Sequence, residues 1–110
     1  RRAPGNDWII IKLAKKAIVK NIEIVTANFK GNFPDKASIQ AASVSEVVSS
    51  NENIIKDSEK WDLILDQTKL KADNVHKFSL DLNPQKEATH IRLNIYPDGG
   101  ISRLRIIGKV

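Results

Sequence analysis

Apolar residues cluster into short runs along this chain, and polar links separate them. The first two runs, 8–13 and 18–25, are rich in isoleucine. In the second, Ile22 and Ile24 alternate with Asn21 and Glu23, and Lys15, Lys16 and Ala17 connect the two. Side chains on a strand point to opposite faces in turn, so such alternation marks a strand with one face buried. The same reasoning predicts strands over 37–42, 61–66, 75–82, 89–96 and 101–107. The run 89–96 is the clearest. Ile91, Leu93 and Ile95 share one face, while His90, Arg92, Asn94 and Tyr96 share the other. Seven short strands with polar connections indicate an all-β sandwich or barrel.

Two segments depart from this pattern. Residues 43–60 are polar with a few apolar anchors, and are expected to form a long loop or a helical turn over 45–49. Residues 83–88 read as a charged loop. No internal repeat, low-complexity tract or long amphipathic helix is evident.

The run Asn94-Ile95-Tyr96-Pro97-Asp98-Gly99-Gly100-Ile101-Ser102-Arg103 reads as strand, tight turn and strand. Proline fixes φ, Asp98 can bond the backbone ahead of it, and glycine accepts positive φ. The expected hairpin would hold Asp98 near Arg103 at one end of a sheet.

Composition narrows the possibilities. The 110 residues allow one domain with a small core, and 41% hydrophobic with 28% charged residues is ordinary for a globular chain. With no cysteine, disulfides, thiolate nucleophiles and Cys metal sites are excluded. No apolar run reaches the length of a membrane span, and no signal-peptide pattern is seen. The expected location is cytoplasmic. The net charge of +5 hints at an anionic partner. Its densest cluster, Lys12, Lys15, Lys16 and Lys20, lacks interleaved aromatics and reads as a solvated rim rather than a nucleic-acid surface. Two histidines and no clustered acids give no sign of a bound metal, so the cofactor is left unknown.

Four blocks in order resemble the allantoicase family. They are Arg1-Arg2-x-Pro4-Gly5-x-Asp7-Trp8, Thr26-Ala27-x-Phe29-x-Gly31-Asn32, the Trp61 strand, and Thr89-His90-Ile91-Arg92-Leu93 running into Pro97-Asp98-Gly99-Gly100. The resemblance spans nearly the whole chain. It implies one repeat of a two-repeat protein, a jelly-roll-like β-sandwich of the galactose-binding type, covering residues 1–110 and incomplete at its N-terminus. The chain is thus expected to be a piece of a longer protein. The implied activity is hydrolysis of allantoate to ureidoglycolate and urea in purine catabolism. Implied partners are the allantoate anion, a second repeat and further copies of the protein, with no nucleic acid and no membrane. The chain carries Val25 and Asn28 where the family usually has Asp and His, and Asn6 where relatives often have His. The alternative is a non-catalytic repeat that binds a small ligand or supports an active sister repeat.

Loss of urea from allantoate needs a cation for the carboxylate, an acid for the leaving group and a base for water. The planar fork of Arg matches a carboxylate, and Asp, Glu or His suit proton transfer. The candidate substrate-binding residues are Arg2, Asn32, Arg92 and Arg103, and the candidate catalytic residues are Asp7, His90 and Asp98. Each has a plainer reading. The arginines can be surface groups, Asp7, Asn32 and Asp98 turn residues, and His90 a solvent-facing histidine. His76 reads as a strand-edge residue, and Trp8 and Trp61 as core pieces.

Overall fold

The computed structural model describes residues 6–45 and 49–109. Its elements are β1 (Asp7–Val25), β2 (Lys36–Ala42), α1 (Asn51–Ser58), β3 (Asp62–Lys69), β4 (Val75–Phe78), β5 (Ala88–Tyr96) and β6 (Arg103–Lys109). All strand pairs are antiparallel, and the sheet curls on itself into an all-β sandwich.

The two runs expected at 8–13 and 18–25 form one 19-residue strand. No glycine, proline, asparagine or aspartate stands between Leu13 and Ile18, so no turn interrupts the hydrogen bonding. β1 shifts register between Lys12 and Ala17 against β5, and again between Val19 and Asn21 against β6. An extra residue in one strand bends it and increases its twist. β1 therefore passes from one leaf of the sandwich into the other. Its N-terminal half pairs β5, which continues through β2 to β3. Its C-terminal half pairs β6 and β4. Lys12, Lys15, Lys16 and Lys20 are exposed along it.

The core lies between the leaves. Ile22 and Ile24 of β1 meet Ile39 of β2, Ile64 and Leu65 of β3, and Ile91 and Leu93 of β5, all nearly or fully buried. Fully burying one such side chain is worth about 1.5–3 kcal/mol. Between β4 and β5 the chain lacks strand geometry, and a side chain replaces the missing ladder. Gln85 Oε1 accepts from the Val19 N–H at 3.0 Å, and Gln85 Nε2 donates to the Val19 carbonyl at 2.8 Å. The strand expected over 75–82 stops at Phe78, and Leu80 is fully exposed in the turn that follows.

The helix begins at 51, later than the turn expected over 45–49, part of which (46–48) lies outside the described residues. Ser50 starts it, its hydroxyl accepting from the Asn53 N–H at 3.2 Å.

The expected hairpin after Tyr96 does not form, because β5 and β6 pair with opposite halves of β1 rather than with each other. The loop between them packs instead on the segment 29–34. Tyr96 O accepts from Asp35 N at 2.9 Å, and Asn32 O accepts from Gly100 N at 2.6 Å. Gly99 has φ +133°, and a Cβ there would lie 2.6 Å from the Phe33 carbonyl carbon and from Pro34 N. The glycines thus serve close approach as well as turning. Two of the sequence blocks meet at this end of the molecule.

Candidate functional site

The register of β1, β2 and β5 sets one polar face. Ser38 stands opposite Asn94 and Gln40 opposite Arg92, while Trp8 of β1 is opposite Asn94 on the other side. The inner face of the same strands carries Ile39, Ile91 and Leu93. Period-two alternation on two neighbouring strands therefore brings four polar side chains together on the back of the core.

Arg92 is the centre of this cluster and is only 5% exposed. Its Nε donates to Asn94 Oδ1 at 2.8 Å, and its Nη1 to Ser58 Oγ at 2.7 Å. Its guanidinium carbon lies 4.7 Å from the centroid of the Trp8 ring. Asn94 Nδ2 donates to Gln40 Oε1 at 2.9 Å and to Ser38 Oγ at 3.3 Å. Gln40 Nε2 donates to the carbonyls of Glu59 and Trp61, at 3.1 and 2.9 Å. The C-terminal end of α1 and the turn after it thus lie across β2 and β5. Ser38 Oγ is 3.0 Å from the Tyr96 hydroxyl, and Asn6 Nδ2 donates to Asn94 Oδ1 at 3.2 Å.

Among the described residues no carboxylate pairs with Arg92, and Nη2 has no hydrogen-bond partner. A charge removed from water without a counter-ion is costly unless neutral donors, acceptors or a ligand compensate it. The cluster opens on a cavity of about 280 Å³ lined by Asn6, Ser38, Gln40, Glu59, Arg92 and Tyr96, with Asn94 and Leu63. The arrangement offers a fixed cation, amide and hydroxyl groups of both polarities, and one carboxylate, that of exposed Glu59.

The expected site residues fall in several places. Arg92 occupies this cavity. His90 shares its face two residues away and is buried, with Nδ1 2.8 Å from Thr89 Oγ1 and its ring tilted against Trp61, but it does not line the cavity. The solvent-facing reading of His90 gives way to this packing. Asp7 stands opposite Ile95, which places it on the other face of the sheet. Arg103 pairs with Val25 at the start of β6, in the other leaf. Asn32 is exposed and contributes its carbonyl to the loop contact with Gly100. Asp98 is half-buried in that same loop. Arg2 lies outside the described residues. No group of three or more His, Asp or Glu close enough to hold a metal occurs among the described residues.

Ser38, Gln40, Ser58 and Glu59 escaped the sequence reading. Ser38 and Gln40 flank Ile39, and that alternation is the signal for a polar face continuous with that of β5. Trp8 departs from its expected core position, being 43% exposed beneath Arg92. His76 is a clamp at a strand edge. Its Nε2 accepts from the Lys71 N–H at 2.8 Å, which leaves Nδ1 to donate to the Ile24 carbonyl at 2.9 Å.

Comparison with known proteins bears on this geometry. The family model described as the allantoicase repeat matches residues 1–110. A probable allantoicase of Rhizobium meliloti is 48% identical over 100% of the chain, and a probable allantoicase 2 of Burkholderia pseudomallei is 44% identical over 100% of it. The chain spans about a third of these relatives, 33% and 32% of their lengths. The crystal structure of allantoicase from Saccharomyces cerevisiae superimposes with a TM-score of 0.76 at 24% identity, over 99% of this chain and 29% of that one, and shares its fold.

Proposed function

The chain belongs to the allantoicase repeat family, and we propose that the protein hydrolyses allantoate to ureidoglycolate and urea. In this reaction one C–N bond at the carbon bearing two ureido groups breaks. Urea leaves with an added proton, the oxygen of water bonds to the same carbon, and the water's second proton remains on the new hydroxyl.

The observation that carries the proposal is Arg92, a buried cation with no carboxylate partner among the described residues, at the floor of an open cavity. A guanidinium held by neutral groups suits the carboxylate of allantoate. Asn6, Ser38 and the Tyr96 hydroxyl supply donors and acceptors for the ureido arms. Glu59 is the carboxylate at the cavity among the described residues, and His90 is the nearest imidazole along the same face. Glu59 is the group we assign to proton transfer here, while His90, buried outside the cavity, would act only if another part of the protein brought substrate to it. Asp7, Asp98, Arg103 and Asn32 would act only if another part of the protein approached them, and Arg2 lies outside the described residues.

A second reading follows from Val25 and Asn28. Asn28 has φ 72°, a conformation asparagine tolerates, and its N–H is bound by the Asp73 carboxylate at 2.8 Å. Neither residue exchanges protons. This favours a division of labour in which the repeat binds ligand and a sister repeat completes the chemistry. We place the protein in the cytoplasm as an oligomer of two-repeat subunits, with neither nucleic acid nor membrane as partner. Among the described residues no helix is long and apolar enough to cross a membrane.

The test is urea release from allantoate by the protein at its native length, with and without a chelator. Release that Arg92→Gln weakens through a raised KM supports the proposal. A folded protein that releases no urea overturns it, and the chelator arm reads metal dependence.

A further inference from the structure

We propose that Asn94 is a positioning residue that aims the Arg92 guanidinium without pairing its charge, so that the ligand's carboxylate is the anion that pairs with Arg92. This rests on the reading of the Arg92 cavity as the allantoate site.

The carbonyls of Glu59 and Trp61 only accept, so Gln40 must turn its Nε2 toward them and its Oε1 toward Asn94. Gln40 Oε1 then accepts from Asn94 Nδ2, which turns Asn94 Oδ1 toward Arg92 Nε. Two backbone carbonyls thereby fix the orientation of two amides and one guanidinium. Asn94 uses all its capacity. Nδ2 donates to Gln40 and Ser38, and Oδ1 accepts from Arg92 and Asn6. A flipped amide would set donor against donor at Arg92.

Aspartate has nearly the same shape and would be the ordinary partner for a buried arginine. At position 94 it would neutralise Arg92 from within and present an oxygen to Gln40 Oε1. Asparagine supplies the acceptor without the charge. The Ser58 hydroxyl and the Trp8 ring, the other contacts of Arg92 among the described residues, are also neutral. Among the described residues the cation is thus contacted on three sides by uncharged groups. A carboxylate entering from the cavity meets an unshared positive charge.

The readout is the ratio of affinity for allantoate to affinity for its neutral primary amide, measured calorimetrically on the native-length protein. Asn94→Asp should lower this ratio on the order of tenfold or more, and raise KM more than it lowers kcat. A purely structural role would weaken both ligands alike and leave the ratio unchanged, which overturns the proposal. Asn6→Asp places a carboxylate beside Asn94 from an exposed position, and tests added charge with every buried side chain kept, at the loss of the Asn6 donation to Asn94 Oδ1. It should lower the ratio in the same direction by less, and an unchanged ratio there also counts against the proposal. Arg92→Gln separates the two levels. If it leaves the ratio unchanged, the cavity is not the allantoate site. If it collapses the ratio while Asn94→Asp and Asn6→Asp do not, the site stands and the role of Asn94 falls.

Discussion

Arg92 on β5 and Trp8 near the start of β1 form a cation–π pair, with 4.7 Å between the guanidinium carbon and the ring centroid. Trp8 remains 43% exposed, so the ring forms one wall around the cation while facing water itself. Such pairs are worth about 0.5–2 kcal/mol depending on desolvation. Trp8→Leu should lower stability by an amount in this range and raise KM for allantoate. Trp8→Phe should recover part of both. Thermal unfolding and steady-state kinetics on the pair of variants check this, and a KM unaffected by Trp8→Leu would detach the ring from ligand binding.

Thr26 is fully buried at the end of β1. Its Oγ1 donates to the Lys71 carbonyl at 2.6 Å and accepts from Asn74 N at 3.1 Å. Thr26→Val keeps the shape and leaves both backbone groups short of a partner, at a cost of about 1–3 kcal/mol. Thr26→Ser should cost less. Urea-denaturation midpoints of the two variants give the comparison, and equal midpoints would contradict it.

Gly99 and Gly100 should respond differently to the same change. A Cβ at Gly99 meets backbone atoms of Phe33 and Pro34, and the φ of +133° is itself unfavourable for alanine. A Cβ at Gly100 meets the ring of Phe29, a side chain that can be shortened. Phe29→Leu should therefore rescue Gly100→Ala in part and leave Gly99→Ala unrescued. A double-mutant cycle on unfolding free energy reads this directly. Equal rescue at both glycines would mean the loop yields as a whole.

Gln85 takes the place of a strand for Val19. Gln85→Ala should strip a nearly buried residue of both backbone bonds, costing about 1–3 kcal/mol. Amide exchange at Val19 should accelerate while exchange at Ile91 stays slow. Unchanged protection at Val19 would show that water or a shifted backbone replaces the side chain.

Local chemistry explains what could be read beforehand. Alternation in 89–96 identified β5 and its two faces, and so placed Arg92, His90 and Asn94 together. The same period at Ser38, Ile39 and Gln40 held the other half of the site. Which strands become neighbours depends on long-range pairing, so the meeting of Gln40 with Arg92 was hidden. The hairpin expectation failed for a related reason. Pro97, Gly99 and Gly100 are turn formers in any context, yet here the two glycines serve a close approach to Phe29, Phe33 and Pro34, which precede them by more than sixty residues. The single strand β1 was divided because two apolar runs separated by lysines look like two elements. Only the absence of a turn former between them pointed the other way. The helix start at Ser50 follows a general capping rule, and the surrounding polarity obscured it.

β1 belongs to both leaves, pairing β5 at one end and β4 and β6 at the other. The leaves therefore share a covalent spine, and neither can fray without loosening the strand that templates its counterpart. Loss of order should propagate along that spine, so heat or denaturant should melt the β4–β6 leaf and the Arg92 leaf in one concerted transition. Ligand bound at Arg92 would then raise the melting temperature of strands it never touches.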